Sequence, residues 1–387
     1  MFKYGIPKQV AFTLKDTMRG KFISAIMMLA SCCWAHESSA QIVGGKRAFE
    51  FLNLSNSAHV TALGGLAPAQ PTQDVTLAWQ NPAFYRPGLH NQLAFNYNMY
   101  YADIKVVNFN YAYHSPKLNT TFGGGVQQVN YGTFSAFDER ETYLGEVRAS
   151  DMVIHLSASR SYFDRWRLGA TLKYAHSVLA ERNAGAILGD IGLSYVDTTN
   201  KVTVGLVARN IGFMTQKYNP MLPAEPLPFD INIGLTKELQ HLPLKVFVVL
   251  HHLYQWDIRY NNPADKKKNV FLNDSTASDD KSYFVDKLFR HVNLGAELTL
   301  GKRLSLTLAY NHLRRAELAT FETKGMAGFS MGAGLYLNKL QLHFGRSIMA
   351  TAGAYNEFGL NIYLDKFIRG KDQDVRTNSW SQNYPNW

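Results

Sequence analysis

Arg167-Leu168-Gly169-Ala170-Thr171-Leu172-Lys173-Tyr174 is the stretch that decides the fold. Leu168, Ala170, Leu172 and Tyr174 have one parity, and Arg167, Gly169, Thr171 and Lys173 have the other. Successive side chains of a strand point to opposite faces, so the segment has one greasy side and one mostly polar side. The pattern returns in Leu304–Asn311, where Leu304, Leu306, Leu308 and Tyr310 oppose Ser305, Thr307, Ala309 and Asn311. It returns again near the end, where Phe358, Leu360, Ile362 and Leu364 oppose Gly359, Asn361 and Tyr363.

Fourteen such segments follow one another: 91–98, 104–115, 120–131, 151–160, 166–178, 185–196, 202–211, 229–238, 244–254, 291–300, 304–311, 326–337, 340–347 and 356–364. Most have the length of a tilted membrane-crossing strand, about 9–11 residues. The connections sort by parity. Pro116–Asn119, Ser161–Arg165, Asp197–Lys201, Leu239–Pro243, Gly301–Arg303 and Asn338-Lys339 are short. Gly132–Ser150, Leu179–Ala184, Gly212–Pro228, Gln255–Arg290, His312–Gly325 and Ile348–Tyr355 alternate with them and run longer, while Met99–Asp103 alone is short in a long position. Short turns on one side, long loops on the other and an even strand number describe an antiparallel transmembrane β-barrel with both chain ends in the periplasm. A soluble β-sandwich also alternates, but its loops need not sort by parity and its apolar face packs inward. In lipid, an unpaired strand edge leaves backbone groups unmet at several kcal/mol each, so the first and last segments are expected to pair.

The amino terminus reads as an export signal. Basic residues precede the apolar run Phe22–Ala30, and Ser38-Ser39-Ala40 offers small residues for cleavage before Gln41. Leu29-Ala30-Ser31-Cys32 offers a rival, lipoprotein-like cleavage with Cys32 acylated. Cys32 and Cys33 are the only cysteines, so cleavage at Ala40 leaves a chain without disulfides, thiol catalysis or Cys-ligated metal. The domain plan is a signal at 1–40, an amino-terminal segment at 41–90, the barrel at 91–367 and a polar tail at 368–387. Residues 41–90 lack strand alternation. Ser57–Leu63 predicts a short helix ended by Gly64-Gly65, and Pro68, Pro71, Pro82 and Pro87 oppose regular structure. The segment is expected in the periplasm or folded into the barrel mouth.

The net charge of +10 has no dense basic stripe beyond Lys266-Lys267-Lys268, which argues against a nucleic-acid partner. No chemistry-bearing motif stands out, and no catalytic, cofactor-binding or metal-ligating residues are assigned. His251-His252 would point to opposite faces of a strand and so share no metal. Gly123-Gly124-Gly125 sits within a strand and is read as relief from crowding. Asp274, Asp279 and Asp280 lack calcium-loop spacing, and Pro220, Pro223, Pro226 and Pro228 stiffen a loop suited to docking. The chain reads as non-enzymatic and cofactor-free.

One stretch is more specific. Phe49-Glu-Phe-Leu-Asn-Leu-Ser-Asn-Ser-Ala-His-Val-Thr-Ala-Leu-Gly-Gly65, with Gln80-Asn-Pro-Ala83, resembles the start of the PorQ family, outer-membrane components of the type IX secretion system of Bacteroidetes. The resemblance spans roughly 44–365, and His59 stands where it implies Arg. It implies a FadL-like barrel with the amino-terminal segment folded inside. It also implies a non-catalytic anchor in the attachment complex, holding a PorZ-like surface protein beside the PorU-like sortase and PorV-like shuttle. Outer-membrane lipid is the remaining partner. Alternatives of the same fold are a FadL-like transporter of hydrophobic small molecules and a PorV-like cargo shuttle. By fold alone these remain analogies.

Overall fold

The computed structural model describes residues 47–163, 165–258, 280–301, 303–318, 326–348 and 353–368. The expected signal with Cys32, the lysine run 266–268, Asp274, Asp279 and nearly all of the tail lie outside them.

Fourteen strands close one antiparallel barrel in which each pairs with its chain neighbours. They are β1 (Gln92–Met99), β2 (Lys105–Ser115), β3 (Thr120–Phe137), β4 (Tyr143–Phe163), β5 (Trp166–Leu179), β6 (Arg182–Asp197) and β7 (Val202–Gln216), then β8 (Asp230–Glu238), β9 (Leu244–Leu250), β10 (Val292–Leu300), β11 (Leu304–Asn311), β12 (Phe329–Tyr336), β13 (Leu340–Ile348) and β14 (Ala354–Tyr363). The ends meet as expected, β1 pairing β14 from Gln92↔Tyr363 to Met99↔Asn356. All fourteen predicted segments are strands.

The face distribution is inverted relative to a soluble sheet. On β5, Leu168, Leu172 and Tyr174 are 38%, 60% and 45% exposed, while Arg167, Thr171 and Lys173 are 2%, 7% and 2% exposed. Leu306, Leu308 and Phe358 likewise face out, and Ser305, Thr307 and Asn361 face in. Trp166 packs on Tyr195 at 4.9 Å near the short-turn rim, where an interfacial aromatic belongs. This is the arrangement of an outer-membrane-type barrel, with the apolar side turned to acyl chains and polar side chains inside.

The wall is lopsided. The expected long connection Gly132–Ser150 is mostly strand. β3 and β4 continue pairing to Phe137↔Tyr143, and the turn closes where Asp138 N–H donates to the Thr142 carbonyl at 3.0 Å. Leu179–Ala184 likewise shrinks, because β5 and β6 stay paired to Leu179↔Arg182. Above the lipid band, outward positions such as Gln128 and Asn130 become polar, so alternation disappears while backbone pairing goes on. Two loops carry helices, α1 (Asp280–Arg290) and α2 (His312–Leu318), joined by an Asp286–His312 contact of 3.5 Å, and Leu364–Ile368 forms a last short turn of helix.

Candidate functional site

Residues 47–90 run through the barrel interior and form a hatch. Ser57 caps the helix Ala58–Ala62 by accepting from the Val60 N–H at 3.2 Å, and the chain turns out of it through Gly64 (φ 84°) and Gly65 (φ 88°). The helix lies one residue inside the predicted Ser57–Leu63. Sequence reading missed a second, Val75–Ala78, capped by Asp74, which accepts from the Thr76 N–H at 2.9 Å. Asn81 caps the 3-10 turn Pro82–Phe84 through the Ala83 N–H at 3.0 Å, so the Asn-Pro-Ala step is a built turn rather than a breaker. Gly123 faces the Tyr85 ring, where an added Cβ would fall into the aromatic carbons. The glycine run therefore admits a hatch side chain, in keeping with the crowding relief expected of it.

The hatch is tied to the wall by buried polar groups. His59 Nδ1 meets Asp74 Oδ2 at 2.9 Å, and its Nε2 meets Glu297 Oε2 of β10 at 3.2 Å. Lys245 of β9 pairs with Glu297 at 3.3 Å. Thr61 donates to Glu357 of β14 at 2.6 Å, Asn293 donates to the Leu63 carbonyl at 2.9 Å, and Arg209 of β7 donates to Gln80 at 3.1 Å. His59 belongs to the hatch rather than to a spanning strand. Burial opposes its charge, but the hydrogen bonds and charges of Asp74 and Glu297 outweigh burial and hold it up at about 9. Asp74, also buried, is held well below the usual carboxylate range, chiefly by its hydrogen bond to His59 against the cost of burial. The cation therefore sits between two carboxylates, the task an Arg would have at this position.

His59, Asp74 and His343 bring three potential ligand atoms within 4.8 Å of one another. Their geometry does not suit a metal. A metal must lie close to the plane of each imidazole it binds, and the His59 and His343 rings stack at 4.9 Å with only 13° between planes. Both His59 nitrogens are also engaged by carboxylates. The cluster works as a latch.

His251 and His252 depart from the strand expectation. β9 ends at Leu250, and His252 takes φ 56°, which turns the two rings together with Nδ1 atoms 2.6 Å apart. The His252 N–H donates to Asp230 at 2.8 Å, and His291 Nδ1 contacts the His251 carbonyl at 2.7 Å. These residues staple the long-loop rim.

One ladder of the wall, the β7–β8 seam, stops short on the long-loop side. β7 pairs with β8 only from Val202↔Lys237 to Arg209↔Asp230, while on its other side β7 follows β6 as far as Gln216. Asn210 sits at the break with φ 58°. Its N–H donates to Asp190 at 2.8 Å, its amide donates to the Pro228 carbonyl at 2.9 Å, and it accepts from Lys173 at 3.1 Å. Beside the seam lies a cavity of about 480 Å³ lined by Ile211, Phe213, Pro226, Leu227 and Phe229 among others. Met214 and Leu227 pack against an apolar interior cluster that includes Phe49, Leu52, Trp79, Val129 and Leu188. Buried neighbours Arg209 and Asn210 break the alternation in sequence, which is the one local signal of the seam.

No protein-family model and no curated protein matches this sequence. Among solved structures, the chain is similar to the Pseudomonas putida toluene transporter TodX at 11% identity, covering 80% of this chain and 96% of that one with a TM-score of 0.45. It is similar to the CymD monoaromatic hydrocarbon channel at 12% identity, covering 81% and 97% with a TM-score of 0.48. It is also similar to a Pseudomonas aeruginosa FadL homologue at 9% identity, covering 79% and 97% with a TM-score of 0.43. Likenesses this distant carry no argument about cargo.

Proposed function

We propose that this outer-membrane barrel is a closed, non-catalytic platform of the PorQ kind, holding a PorZ-like surface protein beside PorU- and PorV-like proteins of the type IX secretion attachment complex. The carrying observation is the filled interior. The hatch is buried from Phe49 to Tyr85 apart from a few residues and is bonded to β7, β10 and β14 on different sides of the lumen. A barrel latched in this way serves as a rigid base. The tall β3–β4 hairpin supports a docking role, since Phe134, Phe137, Tyr143 and Leu144 are exposed above the lipid band, and exposed aromatics suit a protein interface. The test replaces residues 133–147 with a tight turn and, separately, removes loop 255–290. Loss of the surface protein from membranes while the barrel still inserts is the expected result. Full retention of the surface protein after each external loop has been shortened in turn would sink the proposal.

A second reading has its own observation. The β7–β8 seam, with apolar residues on both sides of Asn210, suits a passage for hydrophobic small molecules. Joining Thr61→Cys to Glu357→Cys with a short bifunctional maleimide separates the two readings. A platform keeps its partner with the hatch welded, whereas a transporter stops.

A further inference from the structure

The outward wall from β12 through β14 and β1 to β2 carries a row that includes Arg346, Asn356 and Lys105, above an apolar trough. The register fixes the row as Met331, Arg346, Asn356, Met99 and Lys105, each opposite the next on adjacent strands. Arg346 and Lys105 are both exposed on the outer surface, and Arg346 donates to the Asn356 side chain at 2.9 Å. Among the described residues neither cation makes an ion pair with a carboxylate. Two residues further from the long-loop rim the same strands present Ala333, Phe344, Phe358 and Tyr97, and two further still Leu335, Leu342, Leu360 and Phe95. These two rungs line a trough of about 400 Å³, where the small Ala333 leaves room between larger neighbours.

A cation on a lipid-facing wall is costly at mid-membrane and tolerated near the headgroups, where it meets phosphate. We infer that this face holds one phosphate-bearing lipid of the leaflet on the long-loop side, with its phosphate on Arg346 and Asn356 and an acyl chain lying in the Ala333–Phe358 trough. Charge selects the occupant, because an uncharged lipid satisfies the trough and leaves Arg346 without a counter-charge. A second protein would have to bring both an acidic group and a greasy ridge in the same register, a demand that one lipid molecule meets by its own anatomy.

The experiment is native mass spectrometry of the full chain in dodecyl maltoside with added dimyristoyl phosphatidic acid, and in parallel with dimyristoylglycerol, which has the same chains and no phosphate. The wild type is expected to keep one phosphatidic acid and to lose the glyceride. Arg346→Gln should weaken retention about five-fold, the effect of one cation near a membrane surface. Ala333→Phe should weaken it by filling the trough. A heat-induced shift in gel mobility checks that each variant is a closed barrel, and Arg346→Gln, an exposed change, keeps the test valid if Ala333→Phe does not fold. Equal retention by wild type and Arg346→Gln, or equal retention of the two lipids, would overturn the inference.

Discussion

Replacing His59 with Ala probes the latch most sharply. In the wild type His59 lies between Asp74 at 2.9 Å and Glu297 at 3.2 Å, and all three side chains are buried. Removing one member of a buried charge pair leaves the partner uncompensated and costs about 3–5 kcal/mol. Glu297 still has Lys245 at 3.3 Å, so the uncompensated group is Asp74, whose nearest remaining ring nitrogen is that of His343 at 3.7 Å. That places His59→Ala near the lower end, at about 3 kcal/mol. His59→Arg keeps a cation between the carboxylates and should recover most of the loss. Urea unfolding in detergent micelles reads the stability. Planar-bilayer recording reads the hatch, with silence for wild type and His59→Arg and transient openings for His59→Ala. A His59→Ala barrel with unchanged midpoint and a silent trace would refute the latch.

The same contacts lead to further outcomes. His59 gains affinity for its proton on folding, from 6.5 to about 9, so its contribution is complete below pH 6.5 and fades as pH rises through 9. The loss amounts to about 3 kcal/mol across that window, and His59→Arg should flatten the urea midpoint between pH 6.5 and 9. Gly123→Val should destabilise the barrel by about 1–3 kcal/mol or displace Tyr85, since the added atoms fall into the ring; the unfolding midpoint measures it. Leu172→Arg, on the lipid face of β5, should cost about 2–4 kcal/mol in folding into vesicles, and a cost near zero would mean that Leu172 does not face lipid.

The barrel is legible in sequence because lipid enforces alternation. Each strand must turn one parity to acyl chains, and Leu168 to Tyr174 records that demand residue by residue. The signal ends where lipid ends. Beyond Asn130 on β3 and Ile211 on β7 strict alternation stops, so extensions that stay paired through shifts of register read as loop. Sequence places the hatch only in the periplasm or the barrel mouth, because its strongest contacts join distant positions. His59 and Glu297 are 238 residues apart, and nothing near either names the other. The caps are different. Ser57, Gly64 and Gly65 declare their helix locally, whereas Asp74 and Asn81 do the same work among prolines that suggest only interruption. The expectation for His251-His252 fails because strand geometry does not extend past the end of β9, where a left-handed His252 reverses it.

Whether the greasy parity looks outward is settled most directly by spin labels placed singly at positions 167 to 174 of a chain with Cys32 and Cys33 replaced by Ser, in phospholipid vesicles. The collision rate with oxygen, which concentrates in lipid, should peak at 168, 170, 172 and 174 and fall at 167, 169, 171 and 173. The opposite phase, with the even positions shielded and the odd ones open to a water-soluble nickel complex, would describe a soluble sheet packed on its leucines and contradict the barrel.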